Sequence, residues 1–254
     1  MEKINFNLRW VDYSFDPEKN SKISNFNMFM ESFPKGYWEA ETFNVFEYVK
    51  NKDKAAIDIG AWIGPTAVWL SKNFSKVIAV EADSVSLEAL KANLKDSGCD
   101  NVTIVDKAIY SERSKVTFGT NQYEERYQQE GLGASTSQIK TGGFIDGDYA
   151  IDTITVNDLS EYISFDEVGF VKLDIEGGEE NILTDIVKLA EKYNWKMWIS
   201  FHYKWWKDGN LDRFAGLFDN CKLAAYNSFD KTIPNTDIIK CISGDPFGSI
   251  YFEF

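Results

Sequence analysis

The residues best placed to do chemistry in this 254-residue chain are carboxylates that close short apolar runs: Asp58-Ile59-Gly60, Glu81-Ala82-Asp83, Asp106-Lys107 and Asp174-Ile175-Glu176. The first continues as DIGAWIG, residues 58–64, where Gly60 and Gly64 bracket a tight turn. Backbone without a Cβ can approach a ligand closely at such a turn. Glu81 stands about twenty residues beyond Gly60, the spacing at which an acidic side chain meets the hydroxyl pair of a ribose. A dinucleotide turn needs glycine in the middle, so that a pyrophosphate can reach the helix N-terminus. Trp62 occupies that position, and a GxxxxGK[ST] phosphate cradle is absent. An adenosine cofactor without phosphate fits better. S-adenosylmethionine is such a cofactor, and its sulfonium and ammonium charges suit a rim of carboxylates.

Asp174 and Glu176 have i, i+2 spacing, which turns both side chains the same way at an extended strand end. One reading is a capping pair for the helix that follows. Another is general acid–base work, or two hard oxygen ligands for a divalent metal such as Mg²⁺ beside an acceptor oxygen. His202, the only histidine, directly follows an apolar strand and is the expected general base, since its ordinary pKa lies near working pH. Tyr203, Trp205 and Trp206 follow it and could hold a sugar ring or pack under the N-terminal segment. Trp195 and Trp198 read as core.

The elements that position these groups alternate. Strands are expected at 55–59, 76–82, 101–109, 169–175 and 196–201, and helices at 65–74, 84–98, 179–193 and 211–218. Residues 221–226 and 249–254 read as closing strands with no helix between them, paired as an antiparallel hairpin. Lys115–Gly119 and 150–156 read as edge strands. Strands without polar faces, alternating with helices, imply a mostly parallel α/β sheet covered on both faces. Ligands sit outside the carboxyl ends of such strands.

AAIDIGAWIGPTAVWLS, VIAVEADSVSLEALKANL, VDKAIYS and FVKLDIEGGEENIL together resemble the FkbM family of S-adenosylmethionine-dependent methyltransferases, over roughly residues 55–202. GASTS at 133–137 is similar to a serine-containing stretch of that family. The resemblance implies a class I methyltransferase (Rossmann-like) sheet and O-methylation of a sugar, glycan or related small molecule. It implies that Asp58, Gly60 and Gly64 line the methionine end of the cofactor, that Glu81 holds the ribose and that Asp106 lies near adenine. Trp62 stands where family members often carry Asn. The resulting division is an irregular and helical N-terminal extension at 1–50, packed on a methyltransferase domain at 51–254. An insertion at 119–150, with Gly131-Leu132-Gly133 as hinge, is expected to cover the acceptor.

Two other functions compete. Tyr203 and Lys207 have the YxxxK spacing of an NAD-dependent oxidoreductase, although the Asp-Gly break beside them reads poorly as a helix. A non-catalytic module that kept the fold would show an eroded cofactor turn, yet Asp58, Gly60, Gly64 and Glu81 are all present. Composition narrows the partners. With 27 basic against 40 acidic residues the net charge is −13, which disfavours a nucleic-acid or anionic-membrane partner. Cys99, Cys221 and Cys241 have no CxxC spacing, so neither a disulfide framework nor a zinc cluster is expected. The N-terminal sequence lacks a signal-type apolar run, and no stretch is long enough to span a bilayer. The expected setting is cytoplasmic.

Overall fold

The computed structural model describes residues 2–120, 137–140, 148–206, 210–226, 231–245 and 248–254. The N-terminal segment is more regular than expected. β1 (Ile4–Leu8) and β2 (Val11–Phe15) form an antiparallel hairpin, because alternation in VDYSF buries Val11, Tyr13 and Phe15 on one side. α1 (Phe26–Ser32) and α2 (Ala40–Val49) follow. The turn after the hairpin is tied to the body of the protein by reciprocal amide hydrogen bonds between the buried Asn20 and Asn93, at 2.8 and 3.0 Å.

The central sheet is built from β3 (Ala55–Ile59), β4 (Val77–Val80), β5 (Val102–Val105), β10 (Val168–Leu173), β11 (Lys196–Ser200), β12 (Leu223–Tyr226) and β13 (Ser249–Glu253). Their order is β12-β13-β11-β10-β3-β4-β5. β13 runs antiparallel to β11 and β12, and the pairs from β11 through β5 are parallel. This is the mostly parallel class I sheet that the resemblance implied. α3 (Pro65–Asn73) and α4 (Ser84–Asp96) join β3, β4 and β5, and α5 (Glu179–Tyr193) joins β10 and β11. Successive side chains of β3 enter opposite cores. Ala55, Ile57 and Ile59 meet Leu183 and Ile186 of α5, whereas Ala56 joins Val68, Leu90 and the N-terminal aromatics.

A second sheet, β6-β9-β7-β8, comprises β6 (Ala108–Ile109), β7 (Lys115–Thr120), β8 (Ser137–Lys140) and β9 (Tyr149–Ile154). It corrects two expectations. The single strand at 101–109 is two, β5 and β6, broken at the exposed Asp106 and assigned to different sheets. The two edge strands pair with each other rather than with the central sheet. The 119–150 segment contributes β8, while its proposed Gly131-Leu132-Gly133 hinge and most of GASTS lie outside the described residues. Two corrections concern the C-terminal part. Residues 211–218 form only a short 3₁₀ turn at Leu211–Phe214, and Gly216, at φ 75°, turns the chain away. The closing strands do pair antiparallel, but α6 (Ile238–Gly244) lies between them, held by Ile238 and Ile242 one turn apart.

Candidate active site

The carboxyl ends of β3, β4 and β10 meet where the chain crosses from one side of the sheet to the other, the place where open α/β sheets bind ligands. The turn after β3 is held by constraints visible only in three dimensions. Gly60 has φ 82°, and a Cβ there would lie 1.8 Å from the Asp174 carbonyl oxygen. Gly64 has φ 95°, and a Cβ there would meet Leu90 at 2.7 Å. Pro65 then occupies the first turn of α3, where its missing N–H costs nothing.

Glu81 closes this turn from β4. One carboxylate oxygen accepts the Trp62 N–H at 2.7 Å and the other the Asp83 N–H at 2.7 Å. Each oxygen keeps a further lone pair for an outside donor. Burial, reinforced by Asp83, pushes the Glu81 carboxyl up to about 8. Asp83 caps α4 by accepting from the N–H groups of Val85 and Ser86. Glu81 faces a cavity whose walls include Ile59, Trp62, Val80, Ile109, Phe118 and Ile139, with Asp174 and Glu176 at one end. Lys107 and Ala108 line it, but the exposed Asp106 is not among the lining residues.

Asp58 points elsewhere. It is fully buried, accepts from Thr66 Oγ1 at 2.6 Å, and pairs with Lys172 Nζ at 3.1 Å. Lys172 also donates to the Gly60 carbonyl at 2.8 Å and stands 3.9 Å from Asp174. Burial works against its charge, but Asp58, Asp174 and Glu39 outweigh it and raise its pKa. Sequence reasoning passed over Lys172, although a lysine in a strand otherwise apolar was the signal.

Asp174, Glu176 and His202 come together as expected from the ends of β10 and β11. His202 Nε2 lies 3.3 Å from Glu176 and 3.7 Å from Asp174, and its Nδ1 lies 3.1 Å from Glu179. Glu179 is fully buried and further accepts from the N–H groups of Ile175 and Gly177 and the Trp206 indole. His202 and these donors hold its carboxyl below the usual range against the effect of burial. Burial opposes charge on His202, but Glu176, Glu179 and Asp174 hold its pKa up to about 10. Glu176 is pushed up to about 8 by burial against the pull of His202. Of the aromatics after β11, Trp205 stacks on the His202 ring, Tyr203 packs edge-on against Trp206, and Trp206 is buried. Trp195 and Trp198 are core residues. Lys207, the second member of the YxxxK pair, lies outside the described residues.

A second cavity of about 520 Å³ adjoins the first and shares Asp174 and Glu176 with it. Its other walls include His202, Ser200, Ser249 and, from the N-terminal extension, Tyr37, Glu39 and Glu41. Glu39 was not anticipated, and nothing in its local sequence marks it. Burial, and then Asp174, push its carboxyl up to about 8. Trp62, Glu176 and Glu39 all have left-handed backbones, at φ 49°, 55° and 45°. Such strain in residues with side chains persists where surrounding structure enforces it, and it clusters at functional sites.

Among solved structures, the FkbM methyltransferase from Methylobacillus flagellatus is similar at 14% identity and a TM-score of 0.49. The match covers 94% of this chain and 58% of that one, so this chain spans little more than half of its length. SMU.1697c from Streptococcus mutans, in complex with SAH, is similar at 15% identity and a TM-score of 0.46, covering 85% of this chain and 97% of that one. TYW2 from M. jannaschii, in complex with AdoMet, is similar at 12% identity and a TM-score of 0.44, with 100% and 85% covered. No curated protein matches the sequence. The model described as the methyltransferase FkbM domain matches residues 58–226, from the Asp58 turn through β12. By that match, over most of its length, the chain belongs to the FkbM methyltransferase family.

Proposed function

We propose that the chain is an S-adenosylmethionine-dependent O-methyltransferase that acts on a hydroxyl of a sugar, glycan or related small molecule. One observation carries this reading. The cavity walled by the Gly60 turn and Glu81 shares Asp174 and Glu176 with a second, polar cavity. A cofactor and an acceptor need such adjoining rooms.

The residues of the first cavity fit the cofactor. Glu81 has one oxygen for each ribose hydroxyl, and the Val80, Ile109, Phe118 and Ile139 side chains offer an apolar slot for adenine. S-adenosylmethionine, when bound, supplies a methyl group on a positive sulfur. The acceptor O–H proton would pass to a carboxylate oxygen of Asp174 or Glu176, held beside His202, as the new O–CH₃ bond forms. Transfer of that methyl group would leave the C–S electron pair on sulfur, giving S-adenosylhomocysteine as the second product. Attack requires the acceptor oxygen in line with the C–S bond, so the walls of the second cavity contribute by orientation. Proton removal adds about 10²–10⁴-fold.

Titration calorimetry with S-adenosylmethionine, NAD and NADP tests the cofactor, with binding of S-adenosylmethionine alone as the expected result. Transfer of a labelled methyl group to a panel of sugars, sugar nucleotides and glycans then tests the acceptor. Binding only of a nicotinamide cofactor overturns the reading in favour of an oxidoreductase. Binding of S-adenosylmethionine with no transfer to any hydroxylated acceptor favours a non-catalytic module.

A further inference from the structure

We infer that Asp174, Glu176 and His202 form a binding site for one divalent first-row metal ion, with its open coordination positions turned toward the acceptor cavity. The tautomer is the starting point. Glu179 is fully buried and accepts from two backbone N–H groups and an indole, so His202 Nδ1 faces it as a donor. A metal ion that displaces the Nε2 proton meets a lone pair aimed at Asp174 and Glu176. A lone pair facing two carboxylates needs a positive centre between them.

A proton is one such centre, but the spacing is loose for it. Charge-assisted N–H···O bonds are about 2.7–2.9 Å long, whereas these separations are 3.3 and 3.7 Å. Donors about 2.1 Å from a single octahedral ion stand about 3 Å apart when adjacent, and farther apart as the geometry opens. One ligand atom from each of the three residues falls within 4.8 Å of the others. The His202–Glu179 contact has the form of the carboxylate–histidine–metal relay, in which an outer carboxylate fixes the ring and raises its basicity.

Glu39 points independently to a cation site. It lines the same cavity from a different part of the chain, and its Oε2 is buried with no hydrogen-bond partner among the described residues. A buried carboxylate oxygen without a partner is costly, and a cation or its bound water would satisfy it. The mixed nitrogen and oxygen set suits Mn²⁺, Fe²⁺ or Zn²⁺ better than an all-oxygen ion such as Ca²⁺. The open positions would take acceptor hydroxyl oxygens. That part rests on the proposed function, whereas the ion site itself does not.

The chain has one histidine, which gives the test an internal label. Mn²⁺ is titrated into the full, tag-free chain without cofactor and followed by electron paramagnetic resonance. One bound Mn²⁺ is expected, with imidazole nitrogen modulation in the spin-echo signal, for which the single histidine is the source. Glu176→Gln and His202→Gln should each weaken binding about tenfold or more, and Glu179→Gln about 10–100-fold through the ring it orients. Circular dichroism and urea unfolding of each variant report whether the chain is still folded. No Mn²⁺ binding, binding without nitrogen modulation, or binding untouched by these substitutions in folded variants overturns the inference. The wild-type nitrogen signal decides the question even if a variant does not fold. Loss of S-adenosylmethionine binding by the wild-type chain would instead count against the proposed function and leave the ion result standing.

Discussion

Glu81 makes the most direct claim at the scale of a single residue. Its carboxylate is locked by two backbone N–H groups and leaves one lone-pair direction on each oxygen for the ribose. A charge-assisted hydrogen bond is worth about 1.5–3 kcal/mol, so Glu81→Gln should weaken S-adenosylmethionine binding about tenfold or more in calorimetry. The pH dependence has a definite sign. Burial holds the Glu81 proton up to about pH 8, with Asp83 reinforcing and Lys172 opposing. Ribose hydroxyls donate to the ionised form, so affinity should rise with pH from 6 toward 8 and then level. Glu81→Gln should flatten that profile. Without cofactor the linkage runs the other way. Between an ordinary glutamate pKa of about 4.5 and the raised value, the unfolded chain has released a proton that the folded chain keeps, so this contribution to stability is lost as pH rises. For His202, His202→Ala should cut turnover at least about a hundredfold while cofactor affinity holds, because its ring faces the acceptor cavity. Retained turnover would remove His202 from the chemistry. Glu81, Asp174, Glu176 and His202 were legible in the sequence because strand ends are. Glu39 was not, since only tertiary packing brings it there.

At the scale of elements, Lys172 pins β10 to β3 and to the turn that follows it. Its ammonium reaches Asp58, the Gly60 carbonyl and Asp174 from inside the sheet. Removing one partner of a buried pair leaves an uncompensated charge, at a cost of about 3–5 kcal/mol. Lys172→Met should therefore lower stability by about that amount in urea unfolding, and Asp58→Asn in the same chain should restore much of it. A double variant no more stable than Lys172→Met would show that Asp58 is not the group left exposed. A smaller effect belongs to Asp83, whose side chain accepts from two N–H groups of α4. Asp83→Ala should cost about 0.5–2 kcal/mol. The central strands and α3, α4 and α5 were readable from apolar runs, Pro65 and the Asp83 cap. The second sheet was not, because β6 has two residues and its partners lie far away in sequence. A β-hairpin with Arg9-Trp10 at its turn, both left-handed at φ 51° and 64°, also lacks the Asn-Gly signal that marks such turns.

At the scale of the whole molecule, the net charge of −13 sets what can approach. Nucleic-acid affinity depends on clustered cations that displace counterions. A mobility-shift assay at low salt should show no retained tRNA or duplex DNA, and a salt-sensitive shift would reveal a basic face that the overall charge conceals. Among the described residues no helix is long and apolar enough to cross a membrane. Overall architecture was the most legible level of all, since strand–helix alternation with apolar strands leaves few ways to build a sheet. The paired cavities were hidden, because one wall comes from the first fifty residues.

That wall has an evolutionary corollary. The family match begins at residue 58 and ends at 226, so it includes Glu81, Asp174, Glu176 and His202 but not Tyr37, Glu39, Glu41 or Ser249. On the proposed function, part of the acceptor wall therefore lies outside the stretch that the family shares. On that reading, change confined to the N-terminal segment would alter the acceptor wall and leave the walls of the cofactor cavity untouched. Grafting this segment onto a related catalytic half is correspondingly the economical route to altered acceptor choice.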